Sequence, residues 1–394
     1  MYPTVSDMLR DWFGVDIPLP IQSYGLLVAL AFIVGSFILM LEFKRKGKQG
    51  LLPKIEKKTL VGLPASSKEL FIAGIIGFVI GYKLLEAIIN YDDLVKDPQG
   101  FILSLGHGNF IGGLLGAALS VFMKYREKQK QKLDKPKNVI QEFQVYQLTP
   151  NFLIVAAIFG LLGTKIFGHL ETWEEFVRDP IGQLFSFDNL AFYGGLVIGG
   201  YALLVYGKRN SVKPLYMLDA GAPAVALAYG VGRIGCQVSG DGCWGIVNTS
   251  PKPGWLDWIP DWLWAFDYPH NVNNEGIPIH SCGGTHCNVL EQPVFPTPLY
   301  ETIMMVVIFT FLWSIRKRIS IPGMLFSIFM VLQGFERFLI EKIRVNIEYN
   351  LFGMSITQAE IVSFLSIIIG IVGIFYFYKN RERLKNYKNT NSWI

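Results

Sequence analysis

Arg233 lies in a glycine-rich stretch, YGVGRIGCQVSGDGCWG at 229–245, which directly follows a long apolar run. It belongs to a small set of basic residues inside apolar segments, together with Lys83, Lys165 and Arg337. A charged side chain at the centre of a bilayer costs about 2.5–3.5 kcal/mol to insert, and such residues are functional candidates by default. The simpler alternative is that each charged head reaches the membrane interface, and this alternative stays open for the two lysines.

Arg337 has charged neighbours at helical spacing. Glu341 and Arg344 follow it by four and seven positions, so all three share one face if the helix continues that far. A plain i,i+4 ion pair between Arg337 and Glu341 is the structural alternative. Counted from the predicted cytoplasmic ends of their helices, Arg233 and Arg337 lie roughly 27 and 24 Å up, near the outer headgroup level.

The elements that carry these residues are predicted to be membrane-spanning helices. Of 394 residues, 51% are hydrophobic and 17% are charged, against about 25% charged in typical soluble domains. Apolar runs close to the ~20 residues that span a bilayer recur along the chain. They lie at 22–41, 69–90, 109–123, 150–170, 190–206, 215–235, 297–315, 321–340 and 356–378. The sequence therefore predicts an all-α polytopic membrane protein with about nine transmembrane helices, in a single integral membrane domain over 1–394.

The distribution of positive charge predicts the topology, because Lys and Arg concentrate in cytoplasmic loops. Most of the 36 Lys and Arg residues fall in alternate connecting segments, at 42–68, 124–149, 207–214, 316–320 and 379–394. The N-terminus is therefore expected outside and the C-terminus in the cytoplasm. The segment before the first span lacks a basic region and a cleavage site, so no signal peptide is expected. The net charge of +5 is a topology signal, and no nucleic-acid partner is implied.

An internal repeat relates two of the predicted helix pairs at a fixed offset of 82 residues. The aligned segments are YDDLVKDP at 91–98 with WEEFVRDP at 173–180, and FIGGLLG at 110–116 with FYGGLVI at 192–198. Residues 69–124 are therefore interpreted as a duplicated two-helix insertion, a repeat of 150–206. The paired glycines Gly194 and Gly195 allow another backbone or a lipid headgroup to approach a helix start closely.

Six blocks distributed along the chain together resemble one known family. They are SYGLLVALAF at 23–32, FYGGL at 192–196, DAGAPAVALAYGVGRIG at 219–235, PTPLYE at 296–301, RFLIEKIR at 337–344 and GMSITQ at 353–358. The chain resembles the phosphatidylglycerol–prolipoprotein diacylglyceryl transferases of the bacterial inner membrane. The resemblance implies transfer of a diacylglyceryl group from phosphatidylglycerol to the lipobox cysteine of a prolipoprotein signal peptide, with a thioether formed and glycerol-1-phosphate released. It also implies a multi-pass protein of the cytoplasmic membrane with its site near the outer leaflet, and neither cofactor nor metal.

The resemblance also implies roles for individual residues. Arg233 and Arg337 are expected to bind the lipid phosphate, whose negative charge grows as the C–O bond breaks. Gly232 and Gly235 are expected to leave room for the headgroup. The structural alternative for Arg233 is an ion pair with Asp241. The other substrate-binding candidates are Tyr24, Gly194, Gly195, Cys236, Arg344 and Lys165.

The chain departs from the family pattern at residues that would handle the thiol proton. In the signature G-R-x-G-N-F-x-N-x-E, Cys236 and Asp241 replace Asn and Glu, and in F-H-G-G-L the histidine is replaced by Tyr193. A phenol with a pKa near ~10 is a poor base at neutral pH, so Tyr193 is a catalytic candidate for positioning the phosphate. The candidate bases are Glu341, Asp241 and His107.

The loop 236–295 is predicted to lie outside the membrane and contains all four cysteines. Thiols tend to oxidise there, and four cysteines allow three pairings. A Cys282–Cys287 disulfide is favoured over a zinc site in HSCGGTHC at 280–287, because no second ligand pair stands at zinc-finger spacing. The Trp-rich stretch WLDWIPDWLWAFDYPHNV is expected to lie at the membrane interface and guide the signal peptide.

Two other function classes stay open at this point. A transporter would also show repeats and intramembrane charges, but its polar groups should lie near the bilayer midplane beside broken helices. A catalytically inactive lipid-binding homologue is compatible with Tyr193 and Cys236. Thioether formation on a lipobox peptide distinguishes the enzyme from both.

Overall fold

The computed structural model describes residues 1–104, 106–185, 191–346, 348–351, 354–385 and 387. The helices are α1 Val5–Phe13, α2 Ser23–Lys48, α3 Ser67–Ile89, α4 Tyr91–Lys96, α5 Pro98–Leu103, α6 Phe110–Gln131, α7 Thr149–Glu171, α8 Trp173–Arg178, α9 Pro180–Phe185, α10 Phe192–Arg209, α11 Pro214–Ser239, α12 Thr297–Ile315, α13 Met324–Glu341, α14 Gln358–Lys379 and α15 Arg381–Lys385. The strands are β1 Lys54–Val61, β2 Lys137–Gln144, β3 Ile277–Pro278, β4 Asn288–Val289, β5 Glu348–Leu351 and β6 Met354–Thr357, paired β1–β2, β3–β4 and β5–β6.

Long helices lie over the nine apolar runs, so the protein is mostly helical as predicted. Within the described residues, six helical segments are long and apolar enough to cross a membrane. These are Ser23–Lys48, Ser67–Ile89, Val145–Glu171, Pro214–Ser239, Thr297–Ile315 and Gln358–Lys379. A polytopic helical architecture is therefore supported by length and composition. The count of nine spans and the orientation of the two termini stay predictions.

Local sequence fixes the ends of the helices that matter for the site. Thr357 and Glu360 form a reciprocal capping box at the start of α14, with N–H···O distances of 3.2 and 3.1 Å. Helix α11 ends where Gly240 adopts a left-handed conformation with φ of +65°, which favours glycine. Arg233 and Cys236 therefore lie in the last two turns of α11, next to the long loop.

The chain divides into two compact units. The smaller unit comprises Gly14–Ile21 and Lys54–Phe143, and the larger unit comprises Met1–Phe13, Gln22–Pro53 and Gln144–Ile394. The predicted insertion 69–124 falls in the smaller unit, where α3 packs against α6. The expectation of one integral membrane domain over the whole chain stays a prediction.

The larger unit has its apolar core where α11, α12 and α13 meet. The buried side chains of this core are Ala222, Ala226, Met305, Ile308, Leu312, Leu325 and Phe329. Helix α2 packs along α11, α7 pairs with α10, and α13 pairs with α14. Alanines on α11 let its neighbours approach closely, so the polar ends of α11, α12 and α13 come together beyond the core.

The two aligned segments repeat their hydrogen bonds as well as their sequence. In the smaller unit, Gly100 N donates to Asp97 Oδ1 at 2.9 Å and Lys83 Nζ donates to Phe101 O at 2.7 Å. In the larger unit, Gly182 N donates to Asp179 Oδ1 at 2.9 Å and Lys165 Nζ donates to Gln183 O at 3.2 Å. Each residue of the second set stands 82 positions after its counterpart. The correspondence supports the duplication, which we propose as the origin of residues 69–124.

The long loop folds back on itself through a small core of its own. Tyr268 is fully buried there against Trp244 and Val294. Cys282 and Cys287 form a disulfide, which confirms the predicted pairing. Three of the four tryptophans of the aromatic stretch are exposed instead: Trp255, Trp258 and Trp262. Their location at a membrane interface stays a prediction.

Candidate active site

A fully buried carboxylate, Glu301, forms the centre of the site. It lies in the second turn of α12 and is surrounded by three arginine side chains. Arg233 Nε pairs with Oε2, while Nη1 of Arg344 and Nη1 of Arg337 lie 3.3 and 3.8 Å from Oε1. The structure thus brings together three arginines that were predicted separately. Glu301 was missed, although the block PTPLYE at 296–301 contained the signal.

Tyr229 fixes the orientation of Arg233 within this cluster. Its hydroxyl donates to Glu301 Oε2 and accepts from Arg233 Nε at 3.1 Å and Nη2 at 2.9 Å. Tyr229 stands one helical turn before Arg233 on α11, so both side chains reach the start of α12. The guanidinium is therefore held from two sides. The pairing of Arg233 with Asp241 considered from the sequence is wrong, because Glu301 takes that place.

Arg337 forms the i,i+4 ion pair expected from its spacing, with Nη2 lying 2.8 Å from Glu341 Oε2. Glu341 is itself buried and also accepts from Thr357 Oγ1 and Asn346 Nδ2, each at 2.6 Å. This carboxylate therefore ties α13 to the start of α14. It would have to give up one of these partners to take a proton from a substrate.

The position of Arg344 beside the cluster does not result from the helical spacing that was considered from the sequence. Helix α13 ends at Glu341, so the shared helical face does not extend to Arg344. The chain turns instead and forms an isolated bridge between Arg344 and Gly245 of the long loop. This turn aims the guanidinium at Glu301. Arg344 thus lies at the cluster, but the continuous helical face considered from its spacing is not observed, and its role in substrate binding stays a prediction.

A turn after α11 places two thiols beside the arginines. Nη1 of Arg233 lies 3.7 Å from Cys236 Sγ, and Nη2 of Arg344 lies 3.7 Å from Cys243 Sγ. Asp241 Oδ1 accepts from the Cys243 backbone N–H at 3.2 Å. A hydrogen bond from the Cys236 thiol lowers the pKa of the Cys243 thiol below its usual value. Cys243 was not predicted, because it enters the site only through this turn.

Gly232 and Gly235 on α11 face helix α2. A Cβ added at Gly235 would lie 3.3 Å from Leu27 Cβ and 3.4 Å from Tyr24 Cδ2, and one at Gly232 would lie 4.0 Å from Ala31 Cβ. The room beside these glycines is therefore used by α2, which carries Tyr24 close to the end of α11. Tyr24 remains partly exposed and near the cluster, and headgroup contact by all three residues stays a prediction.

The glycines of α10 likewise serve helix packing. A Cβ at Gly194 would collide with the carbonyl oxygen of Gly163, and one at Gly195 would lie 2.6 Å from Thr164 Cγ2. This close contact between α7 and α10 sets the start of α10. Tyr193, beside these glycines, lies within electrostatic reach of Arg337, which agrees with a positioning role.

Two other sequence candidates have contacts away from the arginine cluster. Lys165 donates to the Gln183 carbonyl at 3.2 Å, where it caps the end of the short helices that follow α7. His107 belongs to the smaller unit, where its ring stacks on Phe101 with centroids 5.2 Å apart. A direct role for either residue in the reaction stays a prediction.

Glu336 is a second buried acid that the sequence reasoning missed. It is 2% exposed and precedes Arg337 on α13. Neither of its carboxylate oxygens has a hydrogen-bond partner within the part of the chain that the structure describes. It lies within electrostatic reach of Glu301 and the three arginines. Glu336 therefore adds a second buried carboxyl group beside Glu301.

Known proteins are similar to this chain over most of its length. A family model described as prolipoprotein diacylglyceryl transferase matches residues 12–137 and 135–376. Proteins named phosphatidylglycerol–prolipoprotein diacylglyceryl transferase include one from Leptospira interrogans, 29% identical over 342 residues, which cover 86% of this chain and 74% of the relative. Relatives of the same name come from Dehalococcoides mccartyi, 24% identical over 60% of this chain and 79% of the relative, and from Clostridium tetani, 29% identical over 59% and 81%. With three arginines around Glu301 and a family match that spans most of its length, the chain belongs to the prolipoprotein diacylglyceryl transferase family.

Proposed function

We propose that this protein transfers the diacylglyceryl group of phosphatidylglycerol to the thiol of a lipobox cysteine in a prolipoprotein. A C–S bond forms, the C–O bond between glycerol and phosphate breaks, and glycerol-1-phosphate leaves with the electron pair. The observation that carries the proposal is the ring of Arg233, Arg337 and Arg344 around the buried Glu301. Transfer to a synthetic lipobox peptide by the purified protein tests it, and an unmodified peptide would contradict it.

Arg337 offers the donor that a leaving phosphate needs. Its Nη1 is buried and lacks a hydrogen-bond partner among the described residues, although Glu301 Oε1 lies 3.8 Å away. A buried donor left unsatisfied costs about 1–3 kcal/mol, which an anionic oxygen recovers on binding. Because negative charge grows on the phosphate as the C–O bond breaks, this contact strengthens in the transition state.

Arg233 contributes by being held before the lipid binds. Glu301 and Tyr229 occupy Nε and Nη2, which fixes the plane of the guanidinium. Preorganised donors stabilise developing charge without the cost of reorientation during the reaction. Arg233 and Arg337 thus form a pair of fixed positive groups that face one leaving phosphate.

The thiol proton has several candidate acceptors near this phosphate site. Glu341 is occupied by three partners, and Tyr193 is assigned to positioning. Glu336 is buried without hydrogen-bond partners in the described residues, but the contacts of its carboxyl group are with the arginine cluster and not with the thiols. Asp241 stands closest to the cysteines of the turn. Deprotonation of the substrate thiol is therefore assigned to the side of the site formed by the turn after α11.

The site is assigned to the outer leaflet of the bacterial cytoplasmic membrane, with the N-terminus outside and the C-terminus inside. The excess of Lys and Arg in alternate connecting segments supports this orientation. The secreted substrate requires it as well, because a lipobox cysteine is presented where signal peptides emerge. The proposal also favours a transferase over a transporter, whose polar groups would be expected near the midplane.

Reporter fusions test the topology. A reporter inserted after Lys48 or Lys130 is expected to show cytoplasmic activity, and one at Asn274 is expected to show exterior activity, because nine spans with an outside N-terminus place them so. The measurement is paired alkaline phosphatase and fluorescent-protein activity at each position. An exterior signal at Lys130 would contradict both the nine-span count and the duplication of a complete helix pair.

A further inference from the structure

Three side chains of types that bind transition metals converge where α11 ends. The sulfurs of Cys236 and Cys243 and a carboxylate oxygen of Asp241 all lie within 4.8 Å of one another. Neither cysteine is in a disulfide. A metal was not expected here from the sequence, because Cys243 joins the other two residues only through the fold of the loop.

The backbone around the three side chains is fixed by its own contacts. Cys236 lies in the last turn of α11, and Gly240 ends that helix in the left-handed conformation. The Asp241 carboxylate accepts from the Cys243 N–H at 3.2 Å, and the Cys243 carbonyl accepts from Thr297 Oγ1 at 2.8 Å. Helix α11, the turn and the start of α12 therefore hold the three donors together before any ligand binds.

Zinc suits this donor set. Zn²⁺ binds thiolate sulfur at about 2.3 Å and carboxylate oxygen at about 2.0–2.2 Å, so neighbouring ligands of one tetrahedral ion lie about 3.3–3.8 Å apart. The three ligand atoms lie within 4.8 Å of one another, so they must approach each other by up to about 1.5 Å when the ion binds. Three protein ligands leave one tetrahedral position open, as in catalytic zinc sites. Both thiols are free, as a metal site requires.

Nearby positive charges offset the negative charge that a zinc site with these ligands would carry. Two thiolates and a carboxylate around Zn²⁺ give a net charge of about −1, and a third thiolate would make it about −2. Arg233 lies 3.7 Å from Cys236 Sγ and Arg344 lies 3.7 Å from Cys243 Sγ, so each sulfur has its own guanidinium donor. Donors of this kind around the ligands tune metal affinity and ligand basicity. The same arginines also contact Glu301, which links the metal position to the phosphate site.

We propose that Cys236, Asp241 and Cys243 bind a zinc ion whose open position takes the sulfur of the lipobox cysteine. The inference rests on the proposed transferase function. It gives the thiol a means of activation that does not depend on a histidine at the position of Tyr193.

The substrate thiol releases its proton to water when its sulfur binds zinc, because a coordinating thiol is deprotonated outright. A sulfur electron pair then forms the C–S bond, the glycerol C–O bond breaks, and the phosphate leaves with that bond's electrons. The neutral thioether is a weaker ligand than the thiolate, so the product dissociates and the position opens again.

Metal analysis of the intact protein tests the proposal. The full chain, prepared from membranes in detergent without chelators, is expected to contain about one zinc per molecule. After removal of zinc with a chelator, Co²⁺ is expected to bind with the sulfur-to-cobalt charge-transfer absorption of a thiolate site. Cys243→Ser and Asp241→Asn are each expected to weaken Co²⁺ binding at least tenfold. The matched control is the Cys282→Ser/Cys287→Ser double variant, which is expected to bind Co²⁺ with the wild-type affinity and spectrum.

Other results would overturn the metal site, its role in thiol activation or the proposed function. A wild-type protein without a thiolate–cobalt band, an unchanged band in Cys243→Ser, or a Cys236–Cys243 disulfide in protein prepared without reductant would overturn the metal site. Full-rate transfer to a lipobox peptide by the zinc-free protein would overturn its role in thiol activation and leave the proposed function intact. Zinc binding with the expected ligands but no transfer by the wild type would contradict the proposed function instead.

Discussion

Glu301→Gln is expected to lower the kcat/KM of diacylglyceryl transfer by at least about a hundredfold. Glutamine preserves the shape of the side chain and removes the negative charge that pairs with Arg233, Arg337 and Arg344. Removing one partner of a buried ion pair costs about 3–5 kcal/mol, because the remaining charges stay buried without compensation. The arginines would then lose the orientation that the leaving phosphate requires, and the protein would also lose stability. Transfer rates and thermal unfolding in detergent measure the two effects.

Glu42→Gln is the matched control for this change. Glu42 is 1% exposed and pairs with Arg45 at 2.7 Å and Arg316 at 2.8 Å, so it is also a buried carboxylate with more than one arginine. It stands 18 positions after Tyr24 on α2, about 27 Å along that helix from the site. Its loss is expected to lower stability but not the transfer rate of the folded protein. Equal loss of transfer in both variants would show that Glu301 acts only through stability.

Arg233→Lys and Arg337→Lys are each expected to slow transfer at least about tenfold while the protein stays folded. Lysine keeps the charge but lacks the planar arrangement of donors. At position 233 one nitrogen replaces the Nε and Nη2 that Tyr229 and Glu301 hold, and at position 337 one nitrogen replaces the separate Nη1 and Nη2, of which Nη2 pairs with Glu341. Each lost charge-assisted hydrogen bond is worth about 1.5–3 kcal/mol, which sets the expected size.

Arg316→Lys controls for the general effect of replacing a buried guanidinium. Arg316 pairs with Glu42 near the far end of α12 and touches none of the proposed substrate contacts. Its replacement is expected to leave transfer within about twofold of the wild type, within the range of a modest structural change. Near-normal transfer by Arg233→Lys or Arg337→Lys would remove the phosphate role from that arginine.

The helices and the arginines of the cluster could be predicted because the signals are local. An apolar run of about 20 residues has few structural alternatives, and a guanidinium within such a run needs a partner or a ligand. The Arg337–Glu341 pair follows from i,i+4 spacing, and the structure confirms it. The Cys282–Cys287 disulfide was likewise accessible, since the two cysteines are five positions apart.

The centre of the site could not be read from local spacing. Glu301 contacts Arg233, which lies 68 positions earlier in the sequence, and Arg344, which lies 43 positions later. The residues next to Glu301 in the sequence do not predict either contact. Cys243 enters because the turn after Gly240 folds back, and the same folding excludes Asp241 from pairing with Arg233. Such contacts depend on how helices pack and where they end.

Arg344 shows the limit of extending a periodic pattern. Seven-residue spacing from Arg337 places it on the same face only if the helix continues, and α13 ends at Glu341. The final turn is replaced by a bridge to Gly245, where a Cβ would collide with the Ile343 carbonyl. Tertiary contacts with the loop thus determine where this helix stops, and sequence periodicity does not report them.

The most direct test of the central claim is a transfer reaction with the purified protein, phosphatidylglycerol labelled in its glycerol headgroup, and a lipobox peptide. The peptide is expected to gain one diacylglyceryl group at its cysteine, seen by mass spectrometry, and glycerol-1-phosphate is expected to appear in equal amount. A peptide with serine in place of the cysteine should gain nothing, because the thiol supplies the sulfur of the new bond. Headgroup release without peptide modification, or no reaction with an intact and folded protein, would contradict the claim that this arginine cluster performs diacylglyceryl transfer.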